Sequence, residues 1–165
     1  MVQREYLAKM KNLFDAGVTD EIITRIEKLA PDSTGRWGKM DVAQMLSHCG
    51  NALEMAMGMI NPPRVLIGKL IGWFFKSSYT NEKPFSKDSP TSEEIIVKGF
   101  RDFQKEKVRL HNLIMKFFRG KETGVTTNPH PFFGSLTPEE WSRGMYKHLD
   151  QPSPSVWRLT RNKQI

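Results

Sequence analysis

Thr91–Gly120 reads TSEEIIVKGFRDFQKEKVRLHNLIMKFFRG, and its apolar residues decide the fold. Ile96, Phe100, Phe103, Leu110, Ile114 and Phe117 recur at intervals of three and four, with Lys107 the only interruption. That spacing places them on one face of a helix. Thr91 and Glu94 supply a capping box for its start, and Gly120 and Gly124 a stop. An apolar stripe of this length has to be covered by partner helices.

The flanking sequence supplies the partners. Thr19, followed by Asp20 and Glu21, predicts the start of a short first helix. Its stripe is Ile22, Ile23, Ile26 and Leu29, and Pro31-Asp32-Ser33 ends it. Leu7, Met10, Leu13 and Phe14 before it form a weaker, partly helical pattern. Asp41 with Gln44 is a second capping box, and Met45, Cys49, Ala52 and Ala56 follow at helical spacing. His48 shares their face. That helix runs out near Gly58, and Pro62-Pro63 breaks the chain. Arg64 to Phe75 predicts a short apolar helix, and Lys76 to Pro90 a polar loop.

Thr137-Pro138-Glu139-Glu140 opens the last helix: threonine caps, proline suits the first helical position and Glu140 closes the box. Trp141, Met145 and His148 share its inward face. The next position on that face is Pro152, within Asp150-Gln151-Pro152-Ser153-Pro154, which stops the helix. No alternating strand pattern of any length occurs. The expected fold class is therefore all-α: a bundle of four main helices with one extra short helix.

Composition narrows the function classes. The 165 residues suit one domain with one core, and hydrophobic content is an ordinary 38%. The longest apolar run, Val65 to Phe75, is broken by Gly68, Lys69 and Gly72 and cannot span a bilayer. No signal region opens the chain. One cysteine, Cys49, leaves no internal disulfide and fits a reducing compartment, so a cytoplasmic protein is expected. The net charge is +7, but Lys and Arg are scattered among acids and form no nucleic-acid-reading motif. Neither nucleic acid nor membrane is the expected partner.

Chemistry rests on the histidines. His48 and His148 fall on inward faces of different helices, where facing side chains build metal sites in bundles. Neutral imidazole suits zinc, nickel or iron. On spacing alone the expectation is that both are simply buried, hydrogen-bonded histidines. His111 lies beside Leu110 at the edge of a stripe, a boundary position. His130, between Pro129 and Pro131, reads as a loop cap. Cys49 and His48 are adjacent on a helix and point about 100° apart, so they make no nucleophile pair, and a packed thiol is expected. Met40, Met45, Met55, Met57 and Met59 read as core filling. Phosphate-cradling glycine loops, paired-cysteine motifs and serine elbows are missing.

Five motifs occur in order: Trp37-Gly38-Lys39-Met40, Gln44-Met45-Leu46-Ser47-His48, His130-Pro131-Phe132-Phe133-Gly134, Leu136 to Trp141, and Tyr146-Lys147-His148. Together, over roughly residues 11 to 150, they resemble one branch of the DinB-like superfamily, of the YfiT type, catalogued as a domain of unknown function. The resemblance implies a four-helix bundle, often a homodimer. Many members hold a divalent metal with three histidines, one on the second helix and two on the last, four residues apart. His48 and His148 match two of these, and the third falls at Pro152. The resemblance thus implies a divalent-metal protein (Zn, Ni or Fe) related to thiol-dependent transferases or hydrolases, with a small-molecule or thiol substrate. In this chain its histidine triad is incomplete and the metal weakly held or absent. The alternative is a non-catalytic binding or dimeric interaction bundle without metal, with Val65 to Phe75 contributing a dimer face or a ligand pocket.

The tail departs from that branch, whose last helix continues His-Leu-Asp-His-His-Leu-Arg-Gln-Phe-Gly. Here His148-Leu149-Asp150 is followed by Gln151-Pro152-Ser153-Pro154-Ser155-Val156-Trp157-Arg158. The family run from its second histidine can be written CAC CAT CTC CGT CAG TTT GGC G. One G inserted after the first two bases turns it into codons for Gln-Pro-Ser-Pro-Ser-Val-Trp-Arg, which is Gln151 to Arg158. The expectation is one domain over 1–165, family-like over 11–150, with 151–165 a frameshifted, non-native or disordered tail.

Overall fold

The computed structural model describes residues 10–35, 40–81, 83, 97–150 and 157–158. The described part is helical, with five α-helices and one short 3-10 turn.

Helix α1 spans Ala16–Glu27 and is capped by Asp15, whose carboxylate accepts from the Val18 amide at 3.1 Å. Thr19 is not the cap. It lies one turn inside, buried, and donates its hydroxyl to the Leu13 carbonyl at 2.9 Å, which ties down the segment before the helix. Ile22, Ile26 and Leu29 are buried as the stripe requires. Helix α2 spans Val42–Ala56 and starts at the expected box. The Asp41 carboxylate accepts from the Gln44 amide at 2.8 Å, and the Asp41 amide donates to the Gln44 side chain at 3.1 Å. Twelve of its residues are buried, so it is enclosed on nearly every side.

Helix α3 spans Leu66–Thr80 and is longer than the sequence pattern suggests. Its last turn replaces part of the expected loop because it is anchored. Tyr79 is buried, and the Lys147 ammonium donates to the Ser78 carbonyl and, at 2.9 Å, to the Asn81 side chain. Positions 82 and 84–90 of that loop, with Pro84 and Pro90, lie outside the described residues.

Helix α4 spans Phe103–Gly120 and corrects the deciding stretch. Gly99 takes φ +75° and Asp102 caps the helix, accepting from the Lys105 amide at 2.9 Å. Phe100 is therefore outside the helix and 88% exposed rather than in the core. Thr91, Glu94 and Ile96 lie outside the described residues. Leu110, Ile114 and Phe117 are buried as expected, and a 3-10 turn, Lys121–Gly124, closes the element.

Helix α5 spans Pro138–Asp150. Thr137 and Glu140 form the expected reciprocal box, at 3.2 and 2.8 Å. Among the helix pairs, α2 packs most extensively on α4; α1 also lies on α4, and α2 and α3 lie on α5. The main bundle is α1, α2, α4 and α5, and α3 is the extra helix. The backbone of β1, Thr34–Gly35, pairs antiparallel with β2, Trp157–Arg158. No helix among the described residues is long and apolar enough to cross a membrane.

Candidate functional site

Two helices bring the site together. On α2, Met45, Cys49, Ala52 and Ala56 sink into the core, and His48 goes with them, 7% exposed. On α5, Trp141 and Met145 are buried, and His148, half-buried, follows them at helical spacing. The imidazoles meet, with Nε2 of His148 3.0 Å from Nε2 of His48 and ring centroids 4.8 Å apart. Such a contact between neutral rings is a hydrogen bond in which one Nε2–H donates and the other Nε2 accepts, which fixes opposite tautomers. Spacing alone predicts buried, hydrogen-bonded histidines; His48 is buried, His148 is half-buried, and the two meet each other. Burial, then the neighbouring His48 and His130 rings, lowers the His148 pKa to about 3. His148 is therefore held neutral at physiological pH, the state in which an imidazole nitrogen can accept a proton or a cation.

His130 forms one wall nearby. Its Nδ1 accepts from the amides of Phe132 and Phe133, at 3.1 and 3.3 Å, so it does cap its loop. With Nδ1 accepting, the ring proton sits on Nε2. The ring packs among Phe133, Tyr79 and Trp141, with centroids 4.8, 5.2 and 5.3 Å away. Burial, then the Arg64 cation, pushes its pKa down to about 3. His111 lies partly exposed on α4, the boundary position expected. Cys49 is a packed thiol 3.7 Å from the Met45 sulfur, and burial alone pushes its pKa up to about 12. A buried thiol held protonated in this way is a poor nucleophile.

Sequence reasoning missed the parts that position these rings. Gly144 on α5 lies so close to the Tyr79 ring that a Cβ there would overlap it. Gly68 and Gly72 on α3 lie against the Phe132 backbone in the same way. Read only as interruptions of an apolar run, these two glycines four residues apart were the available signal for a close helix–loop contact. Lys147, also missed, is buried with its ammonium on the end of α3, and burial lowers its pKa to about 8. Among the described residues no set of three or more His, Cys, Asp or Glu side chains is placed to hold a metal ion. Position 152, where the resemblance puts a third ligand, lies outside the described residues.

Compared with known families, residues 9–155 match the model of one described as Protein of unknown function (DUF1569). No curated protein and no solved structure gives a match.

Proposed function

The chain belongs to the DUF1569 family, and from that premise we propose that its site is a remnant or incomplete divalent-metal centre held by His48 and His148. The observation that carries this reading is the convergence of two partly buried Nε2 atoms from different helices, 3.0 Å apart. Two imidazole nitrogens bound to one ion at the usual lengths stand roughly 2.8–3.4 Å apart, depending on the angle between them. The pair therefore fits two adjacent positions of one coordination sphere. A bound cation would supply Lewis acidity toward a thiol or water at an open position, the chemistry of thiol-dependent transferases or hydrolases. The protein's own contribution is to keep His148 neutral and to orient the two rings toward each other. The resemblance to the DinB-like superfamily supports the reading, and under it the missing third ligand becomes meaningful. Proline at 152 has no donor atom.

The test is a titration of the apo-protein with Co(II) and Zn(II), read by cobalt absorption and by calorimetry. One cation per chain is expected, bound weakly. His48→Ala and His148→Ala should each lower affinity by more than the ~10–100-fold that losing a ligand's supporting hydrogen bond costs. A gene with the single extra base removed, restoring histidine at 152, should bind more tightly and melt higher. The absence of saturable binding, or binding indifferent to both alanine variants, overturns the proposal. A second reading, a metal-free interaction bundle, is favoured by the exposed apolar surface of α3.

A further inference from the structure

Between Glu54 and Glu82 the chain carries no acidic residue, and its charges there are Arg64, Lys69 and Lys76 alone. Helix α3 lies inside this stretch and is built inside out. Its packed face is Gly68, Gly72 and Tyr79, while its largest apolar side chains face water. Leu66 is 78% exposed, Leu70 74%, Trp73 73%, Phe74 67% and Ile67 56%. Gly68 and Gly72 seat the helix on the Phe132 backbone and Tyr79 seats it on Gly144, so it lies flat along the molecule with its apolar rows outward. Lys69 is exposed on the flank of those rows.

Taken with ordinary side-chain areas, these five exposures amount to roughly 700 Å² of apolar surface on one helix. The largest apolar patch on a typical monomer is about 300–600 Å². We infer that α3 docks the protein on an anionic bilayer surface, lying in its plane with Leu66, Ile67, Leu70, Trp73 and Phe74 among the acyl chains and Lys69 at the headgroups. At 15 residues the helix is about 22 Å long, too short to span a bilayer and suited to the interface. Charge decides the occupant. Among the described residues Lys69 has no carboxylate partner, and Arg64 donates to the Gly68 carbonyl, a neutral acceptor, at 3.2 Å. Only Lys76 is neutralised, by Glu140 at 2.8 Å. A face with free cations and no acid of its own is matched by anionic headgroups. A second copy laid on it would bring cation to cation, with no carboxylate on α3 to receive either. The side chains fit as well: indole settles at headgroup level, and a flanking lysine keeps its stem on apolar surface while its ammonium reaches the phosphates. The charges scattered over the whole chain give no expectation of a membrane partner; the acid-free stretch concentrated on one outward helix does. The inference stands apart from the histidine pair, and either can fail without the other.

Flotation of the full chain with vesicles tests it, using phosphatidylcholine alone and phosphatidylcholine mixed with phosphatidylserine. The wild type is expected to float with the mixed vesicles and to stay behind with the neutral ones. Leu70→Glu and Phe74→Glu should each abolish flotation with helicity and melting unchanged, because the substituted side chains face water in the free protein. Lys69→Gln should weaken it about fivefold. Brominated phosphatidylserine gives a reading that needs no acidic variant: it should quench the wild-type tryptophan emission, and Trp73→Phe should still float but lose the quenching. A wild type that floats with neither vesicle, or equally with both, overturns the inference. So does flotation indifferent to the glutamates and to Lys69→Gln, or quenching that persists without Trp73. A dimer that the glutamates dissociate, with no flotation, assigns the face to a second copy and overturns it too.

Discussion

Gly144 illustrates how a single position can oppose its own helix propensity. On an exposed helical site alanine would be favoured over glycine by about 1 kcal/mol. Here the new Cβ would overlap the Tyr79 ring, which cannot swing away because Phe133 and Trp141 hold it at centroid distances of 4.7 and 6.4 Å. Gly144→Ala is therefore expected to lower stability by about 1–3 kcal/mol, measured as a lower urea midpoint at constant slope. A rise in the midpoint would mean that the ring yields. At this scale the sequence was partly legible. His48 and His148 could be found because each falls on an apolar stripe, and stripe position dictates burial. The approach of His130 to that pair could not be found, because it depends on the Tyr79–Gly144 contact between α3 and α5, which no local pattern encodes. Thr19 misled for the opposite reason: a good capping residue was used to fasten the preceding segment, and Asp15 capped instead.

At the level of elements, the boxes at Asp41–Gln44 and Thr137–Glu140 were legible because capping is settled within four residues. The start of α4 was not, since the three-and-four spacing runs through Phe100 while Gly99 at positive φ and the Asp102 cap make the helix begin only at Phe103. Helix α3 defeats pattern reading more thoroughly. Amphipathic logic assigns its apolar side inward, yet the glycines are what go in. Gly72→Ala would place a methyl into the Phe132 carbonyl, a backbone atom with no freedom to move aside. The expected result is local: faster hydrogen exchange across Leu66–Thr80, with α2 and α4 still protected. Equal acceleration everywhere would show that α3 is part of the cooperative core.

Across the whole molecule, acid should be the weak side. His130 is kept neutral in the fold by burial and by Arg64, with its pKa lowered to about 3, whereas an unfolded chain titrates at its ordinary value near 6.5. The unfolded state thus binds the proton first as pH falls. Stability is full above about 6.5 and is lost progressively toward 3, by about 3 kcal/mol at pH 4 from this group alone. His130→Asn keeps an acceptor for the Phe132 and Phe133 amides but cannot titrate. Its stability should decline less than that of the wild type between pH 7 and 4, and parallel declines would refute the assignment. The pairing of His48 with His148 also sets a timetable. The two residues are 100 positions apart in the chain. At translation speeds of about 5–20 residues per second, the earlier imidazole waits for seconds before its counterpart leaves the ribosome. During that interval α2 has emerged without the helix that shields it, and His48 is open to whatever the surrounding fluid offers. What first occupies that nitrogen is decided by the order of synthesis, before the finished fold can choose.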